Sequence, residues 1–237
     1  MSAVQNAALL LGIRSWHLVA LQTHFLAEPE TVSAFERLKR RAAVAGFELR
    51  VASAFRDYDR QTTIVNEKWT GARPVTSTGG VTLQKENMSD LQWLEAILRF
   101  SALPGTSRHH WGTDVDIWDA AGAPANYRPA LEPSEYEEGG VFAEMTGWLD
   151  ELIIADDAEG FYKPYDIDRG GVAPEAWHIS YRPVAAALQK EQRLGLDLCW
   201  PLWRGEPDPE GNCHEVLAML ELLEHHGGLL FKRFVLA

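Results

Sequence analysis

Cysteine is scarce in this chain: Cys199 and Cys213 are the only two in 237 residues. A disulfide framework or a cysteine-rich zinc knuckle therefore cannot organise it. A bridge between the two would close a short loop in an oxidising compartment, and two free thiols suit a reducing one equally well. Long apolar runs are missing as well. The stretch Ala7 to Leu11 is too short to span a membrane, and no basic residue precedes it as one would in a signal peptide. As written the chain reads as cytoplasmic; a periplasmic protein whose leader had been replaced by a start methionine would read the same. Positive charge is under-represented, 22 Lys and Arg against 34 Asp and Glu, for a formal net charge of -12. That balance argues against nucleic acid as a partner, which needs a basic footprint, and against an anionic membrane surface.

What is present suits one large domain. Hydrophobic residues make up 46% and the charged 24% are interspersed among them, so a substantial core is expected and disorder is not. The chemistry concentrates in Ser107-Arg108-His109-His110-Trp111-Gly112-Thr113-Asp114-Val115-Asp116. A turn at Gly112 would let His109 face back toward Asp116 on a following strand. That strand, Thr113 to Trp118, puts Asp114 and Asp116 on one face. Two carboxylates on one face, with Trp111 and Trp118 beside them, are disfavoured unless a cation lies between them. His110 reads as a rim or supporting residue. Two ligands do not hold a catalytic metal, and a third is offered by Pro174-Glu175-Ala176-Trp177-His178. A two-His, one-carboxylate set with an open position is the pattern of a zinc hydrolase. Glu175 and His178 would face opposite sides of one strand, so both reach a common site only if Glu175 is still in the loop, which Pro174 favours.

The remaining segments predict the frame around this stretch. Residues 3 to 26 read as helix, with His17 and His24 on one face. Val32, Phe35, Leu38 and Ala42 predict a helix from Thr31 to Ala45, closed by Gly46. Phe47 to Ala54 alternates as a strand and delivers Arg56 to the start of a helix running to about Trp69, where Gln61 points into the same cleft. Arg56 alone would also suit a surface salt bridge with Asp57 or Asp59. Residues 70 to 86 and 120 to 138 read as long loops of the kind that rim active sites. Helices are expected over Met88 to Phe100 and Phe142 to Ile153, and strands from Gly160 and over Trp177 to Tyr181. Beyond these, Val184 to Arg193 suits a helix, Trp200 to Trp203 a docking loop, Val216 to Leu223 an amphipathic helix and Leu229 to Val235 a strand. An apolar helix with an edge strand would allow a homodimer. His214, His225 and His226 form no convincing metal set with Cys213.

Taken together, these motifs resemble the zinc D-alanyl-D-alanine carboxypeptidases and dipeptidases (VanY-like), whose LAS fold is shared with lysostaphin-type enzymes and hedgehog domains. Ser-x-His-x-x-Gly-x-Ala-x-Asp is matched by Ser107, His109, Gly112 and Asp116, and Glu-x-Trp-His by Glu175, Trp177 and His178. Arg-x4-Gln is matched by Arg56 and Gln61 after Ser53-Ala54-Phe55, and Gly-Phe followed by Tyr by Gly160-Phe161 and Tyr165. The resemblance implies an α+β fold with a central, mainly antiparallel sheet flanked by helices. It implies a catalytic domain over residues 1–183, its core about 30–183, with 184–237 as an extension packed on it. It further implies one Zn2+ per chain on His109, Asp116 and His178, with Glu175 as general base. Arg56, Gln61 and Ser107 would grip the substrate, and Arg56 would either clamp its terminal carboxylate or stabilise the oxyanion. The implied substrate is a peptidoglycan stem peptide or fragment, cut next to a D-amino acid. D-alanyl-D-alanine carboxypeptidase leads; an L,D-carboxypeptidase, dipeptidase or endopeptidase of the same family, or a non-catalytic zinc-containing module, are the alternatives. Asp114 departs from the pattern, standing where the family has a small residue, usually Ala, so it could orient a ligand histidine, make the site more anionic, or turn away.

Overall fold

In the computed structural model, which describes residues 3–192, 195–208 and 210–236, the organising feature is a four-stranded antiparallel sheet. In chain order the elements begin with α1 (Ala3–Leu10), the hairpin β1 (Val19–Gln22) and β2 (Phe25–Ala27), and α2 (Pro29–Ala45). There follow β3 (Leu49–Ser53), α3 (Tyr58–Thr70), α4 (Asp90–Leu98), β4 (Asp114–Asp119), α5 (Pro133–Tyr136) and α6 (Ala143–Ile154). The chain closes with β5 (Phe161–Tyr162), β6 (His178–Tyr181), α7 (Arg182–Gln192), α8 (Gly195–Trp203) and α9 (Leu220–Phe234). The main sheet runs β3-β4-β6-β5.

Register decides what each face carries. Asp116 lies directly opposite His178, and Asp114 opposite Ser180. With side chains alternating along a strand, Val115, Ile117 and Ile179 then fall on the other face. There they join the core with Phe35, Leu38 and Ala42 of α2 and Met145 and Leu149 of α6. β4 is thus buried on both faces, one apolar and one carrying the chemistry. The mixture of helices with an antiparallel sheet is the α+β class that the sequence implies.

α2 begins with Glu28 accepting from Thr31 N at 2.9 Å and ends at Gly46 in the left-handed region. α3 is capped by Asp57, whose side chain accepts from Arg60 N at 2.7 Å. These caps fix where β3 and Arg56 enter the sheet's edge.

The N-terminal expectation needs correction. α1 stops at Leu10 and the chain turns into the β1/β2 hairpin, so His17 and His24 share no helix face. That segment has no clean apolar period, and pairing with a neighbouring strand decided it. Three C-terminal readings also change. Trp200 to Trp203 is the end of α8, held in place by the burial of Leu202 and Trp203 despite Pro201 within it. Val216 and Leu217 precede α9. Leu229 to Val235 is helical through Phe234, because Leu223, Gly227, Leu230 and Phe231 bury one helical stripe; a short apolar run does not distinguish strand from helix by itself. The edge strand expected to support a homodimer is therefore absent. Arg193, the end expected for the helix that begins at Val184, lies outside the described residues. Cys199 is buried and Cys213 exposed, and neither is in a disulfide. Among the described residues no helix is long and apolar enough to cross a membrane.

α8 and α9 pack on the helices behind the site. Cys199, Leu202, Trp203, Leu223 and Leu230 share a cluster with Tyr58 and Val65 of α3 and Leu94 and Leu98 of α4. Trp203 is fully buried, and its indole Nε1 donates to Pro104 O at 2.9 Å. Gly105 follows at φ +83°, where a Cβ would lie 2.8 Å from Cys199 Sγ. Trp203→Ala is expected to cost about 3–5 kcal/mol, read as a lowered denaturant midpoint.

Candidate active site

Three backbone features bring the sequence-predicted ligands together. Residues Arg108–Trp111 form one 3-10 turn that stops at Gly112, at φ 73°. A Cβ there would meet Glu28 N at 3.1 Å, so the reversal requires glycine. This turn sets His109 Nε2 3.3 Å from Asp116 Oδ2. The β4/β6 register then sets His178 Nδ1 3.2 Å from Asp116 Oδ1. Glu175 is in the loop before β6, as its motif required, with its N–H donating to Tyr165 O at 3.0 Å. Its Oε2 stands 3.3 Å from His178 Nδ1. All four side chains are buried.

The donor set fits a tetrahedral divalent ion. One ligand atom from each of His109, Asp116 and His178 lies within 4.8 Å of the others. Donors held 2.0–2.1 Å from a zinc stand about 3.3 Å apart, the scale of the contacts that His109 and His178 make with the two different oxygens of Asp116, 3.3 and 3.2 Å. Asp116 Oδ1 is buried without a hydrogen-bond partner, a costly state that a cation would relieve. Among the described residues this is the one such grouping.

Electrostatics around the ligands follow from the geometry. Burial alone would raise the Asp116 carboxyl, but His109 and His178 hold it far below the usual carboxylate range. Burial likewise works against a charged His178, yet the surrounding carboxylates of Asp114, Asp116 and Glu175 raise it well above an ordinary histidine. Without a metal, a proton on this imidazole supplies the positive charge that the carboxylates require.

Asp114 turns inward and holds the His178 ring. His178 Nε2 lies 2.8 Å from Asp114 Oδ1. Arg108 Nε donates to the same oxygen at 2.8 Å, while Thr113 and Ser180 hydroxyls donate to Oδ2 at 2.6 and 3.0 Å. A carboxylate on Nε2 keeps the proton there and leaves Nδ1 free to ligate. Nothing local in the sequence marks Arg108 for this role. It is buried over Trp111, 4.6 Å from the ring centroid, and also donates to Tyr162 OH and Ser180 Oγ at 2.9 and 2.7 Å. Burial opposes the Asp114 charge, but Arg108 and then His178 hold that carboxyl well below its ordinary range.

Arg56 forms no pair with Asp57 or Asp59. It donates from Nη1 to Gln61 Oε1 at 2.9 Å and from Nη2 to Ser53 Oγ at 3.1 Å. Gln61 is fully buried, and its Nε2 donates to Ala102 O at 2.6 Å. Both ends of that amide are used, and Gln61 holds Arg56 rather than reaching the cleft. His110 sits behind: its Nε2 accepts from Gly105 N at 3.0 Å and its Nδ1 lies 2.6 Å from Arg56 O. Burial pushes it down to about 3, so it is neutral and donates from Nδ1.

The ligands open onto a cleft of about 380 Å³. Arg56, Lys68 and Ser107 line it, and both predicted rim loops contribute, through residues 73–80 and 130–133. Tyr165 lies on its wall with its ring 5.0 Å from that of His178, and burial pushes its phenol up to about 12.

A family described as VanY, D-alanyl-D-alanine carboxypeptidase, matches residues 24–184. Two uncharacterized proteins of Haemophilus influenzae are similar to the chain. One is 38% identical over 106 residues, covering 44% of this chain and 77% of that protein; the other is 43% identical over 100 residues, covering 40% and 68%. Among solved structures, VanYB in complex with D-alanine-D-alanine superposes with a TM-score of 0.50 at 23% identity, over 77% of this chain and 85% of that one. That likeness establishes the fold.

Asp114→Asn is expected to weaken divalent-metal affinity about 10–100-fold, measured by competition with a chelating dye. Because the raised His178 must release its proton to ligate, metal affinity should increase as pH rises. Calorimetry in buffers of different ionisation enthalpy should show proton release on metal binding.

Proposed function

We propose, from the fact that this chain belongs to the VanY family of D-alanyl-D-alanine carboxypeptidases, that it removes the C-terminal D-amino acid of peptidoglycan-type peptides. One zinc ion would be held by His109, Asp116 and His178. The reading is carried by one observation: a two-histidine, one-carboxylate set with Glu175 beside it shares a cleft with Arg56. We assign the catalytic unit to residues 1–183 and the flanking extension to 184–237, in keeping with a family match that ends at residue 184.

Zinc bound there would supply Lewis acidity, polarising the scissile carbonyl and lowering the pKa of water to about 7. Glu175 accepts the proton of the attacking water and returns it to the leaving amine, the two-way use of one carboxylate. Asp114 keeps the His178 proton on Nε2, so this ligand does not compete for protons during turnover. Arg56 clamps the free C-terminal carboxylate. Burial lowers the guanidinium from its ordinary value, with Asp116 and Glu175 opposing the shift, so a substrate carboxylate restores charge balance. Gln61 and Ser53 fix the plane of the Arg56 fork, and Ser107 adds a hydroxyl to the same wall. Tyr165, a neutral phenol at physiological pH, offers a donor beside the ligands. The complex of VanYB with D-alanine-D-alanine supports a substrate of this class.

Incubation with defined tri-, tetra- and pentapeptide stems should release D-alanine from D-Ala-D-Ala ends. Glu175→Gln should lower kcat by about 10²–10⁴ with zinc content retained; unchanged turnover would refute its role. Arg56→Met should cost about 1.5–3 kcal/mol of transition-state binding for peptides with a free C-terminus. It should also remove their advantage over C-terminal amides.

A further inference from the structure

One cation lining the cleft, Lys68, is engaged neither by this mechanism nor by an ion pair among the described residues. Lys68 lies four residues after Ile64 on α3, and both line the cleft together with Arg56. Its ammonium makes one hydrogen bond, to Ser101 Oγ at 2.7 Å, and no ion pair is found for it among the described residues. The other basic side chains of the cleft differ. Arg73 is paired with Glu67 at 2.8 Å, and Arg108 with Asp114 at 2.8 Å. Glu132, which also lines the cleft, forms no ion pair among the described residues. Burial, reinforced by Arg73 and Arg56, pushes the Lys68 ammonium down to about 8, so the charge is held at a cost and stays largely in place at neutral pH.

Charge balance points to what Lys68 meets. A divalent ion with ionised Asp116 and Glu175 is neutral. One terminal carboxylate answers the Arg56 fork, whose planar geometry suits that group. Glu132 offsets one charge of the cleft without pairing with Lys68, so the Lys68 ammonium faces a partly dehydrated wall with Ser101 as its one partner, and a charge left without an ion pair there is unfavourable unless the ligand brings its counterpart.

We propose that Lys68, with Ser101, is a specificity-determining anion subsite, and that the preferred substrate is an acidic peptide carrying a second carboxylate on one of its three C-terminal residues. This rests on the carboxypeptidase reading and narrows its substrate class.

Three pairs of N-acetylated peptides test it, each with Glu against Gln of the same chirality at one of the last three positions. For at least one pair the wild-type enzyme should prefer the acid about tenfold or more in kcat/KM. Lys68→Met should reduce that ratio below about threefold, and Lys68→Arg, which keeps the charge, should preserve it. No acid preference in any pair, or a preference that survives in Lys68→Met, would overturn the proposal. The wild-type ratio decides the first point even if a variant fails to fold. Calorimetric binding of the same pairs to Glu175→Ala reads the preference without turnover. Absence of hydrolysis would therefore count against the proposed reaction, while the binding ratio decides on the subsite.

Discussion

The pairing of Asp116 opposite His178 across β4 and β6 is the constraint on which the rest of this protein depends. A slip of one residue would turn every side chain of the strand to the other face. Asp114 and Asp116 would enter the apolar core, and Val115 and Ile117 would take the cleft. Core burial therefore enforces the site. Val115, Ile117 and Ile179, all fully buried, lock the register from one side, and the opposite side inherits a histidine and a carboxylate at ligand spacing.

The same strand shows how a buried cluster of charge is tolerated. Asp114 and Asp116 are two positions apart and both buried. Asp114 is satisfied by protein donors, namely Arg108, Thr113, Ser180 and His178. Asp116 keeps one buried oxygen without a partner. That difference separates their duties: the satisfied carboxylate orients, and the unsatisfied one is free to ligate. A buried ion pair adds little stability in general, so the Arg108–Asp114 pair is better understood as fixing the tautomer and direction of His178.

How much of this was legible depended on whether the signal was local. His109, Gly112 and Asp116 lie within one turn and one strand, and Glu175 and His178 within one loop and strand, so their spacing alone suggested a metal set. The rim loops were visible from Gly and Pro content. Arg108 was not, because its partner Asp114 is defined by a strand-to-turn contact and an arginine beside a ligand histidine follows no period. Gln61 was placed in the cleft because its distance from Arg56 in sequence is short, whereas its side chain points into the protein and is consumed by Ala102 O. At the C-terminus, the run from Leu229 reads as a strand from its apolar residues alone, and packing against α3 and α4 makes it helix instead. At the N-terminus, the β1/β2 hairpin depends on a partner strand that no single-segment pattern contains.

α8 and α9 are tied to the site through the backbone. Trp203 anchors Pro104 O, the next residue's N–H is received by His110, and His110 in turn donates to Arg56 O. On the other side, Arg233 of α9 donates to Gly170 O at 2.6 Å. A Cβ on Gly171 would lie 2.2 Å from Arg233 O, so the 170–171 turn is seated directly against that helix. This turn leads into Ala173, whose N–H donates to Arg99 O at 2.8 Å, two residues before Glu175. The two residues asked to bind the substrate terminus and to move protons, Arg56 and Glu175, both belong to irregular segments, where a backbone is loosest. Packing α8 and α9 behind them supplies the rigidity that a strand or helix would otherwise provide, and catalysis by positioning requires it.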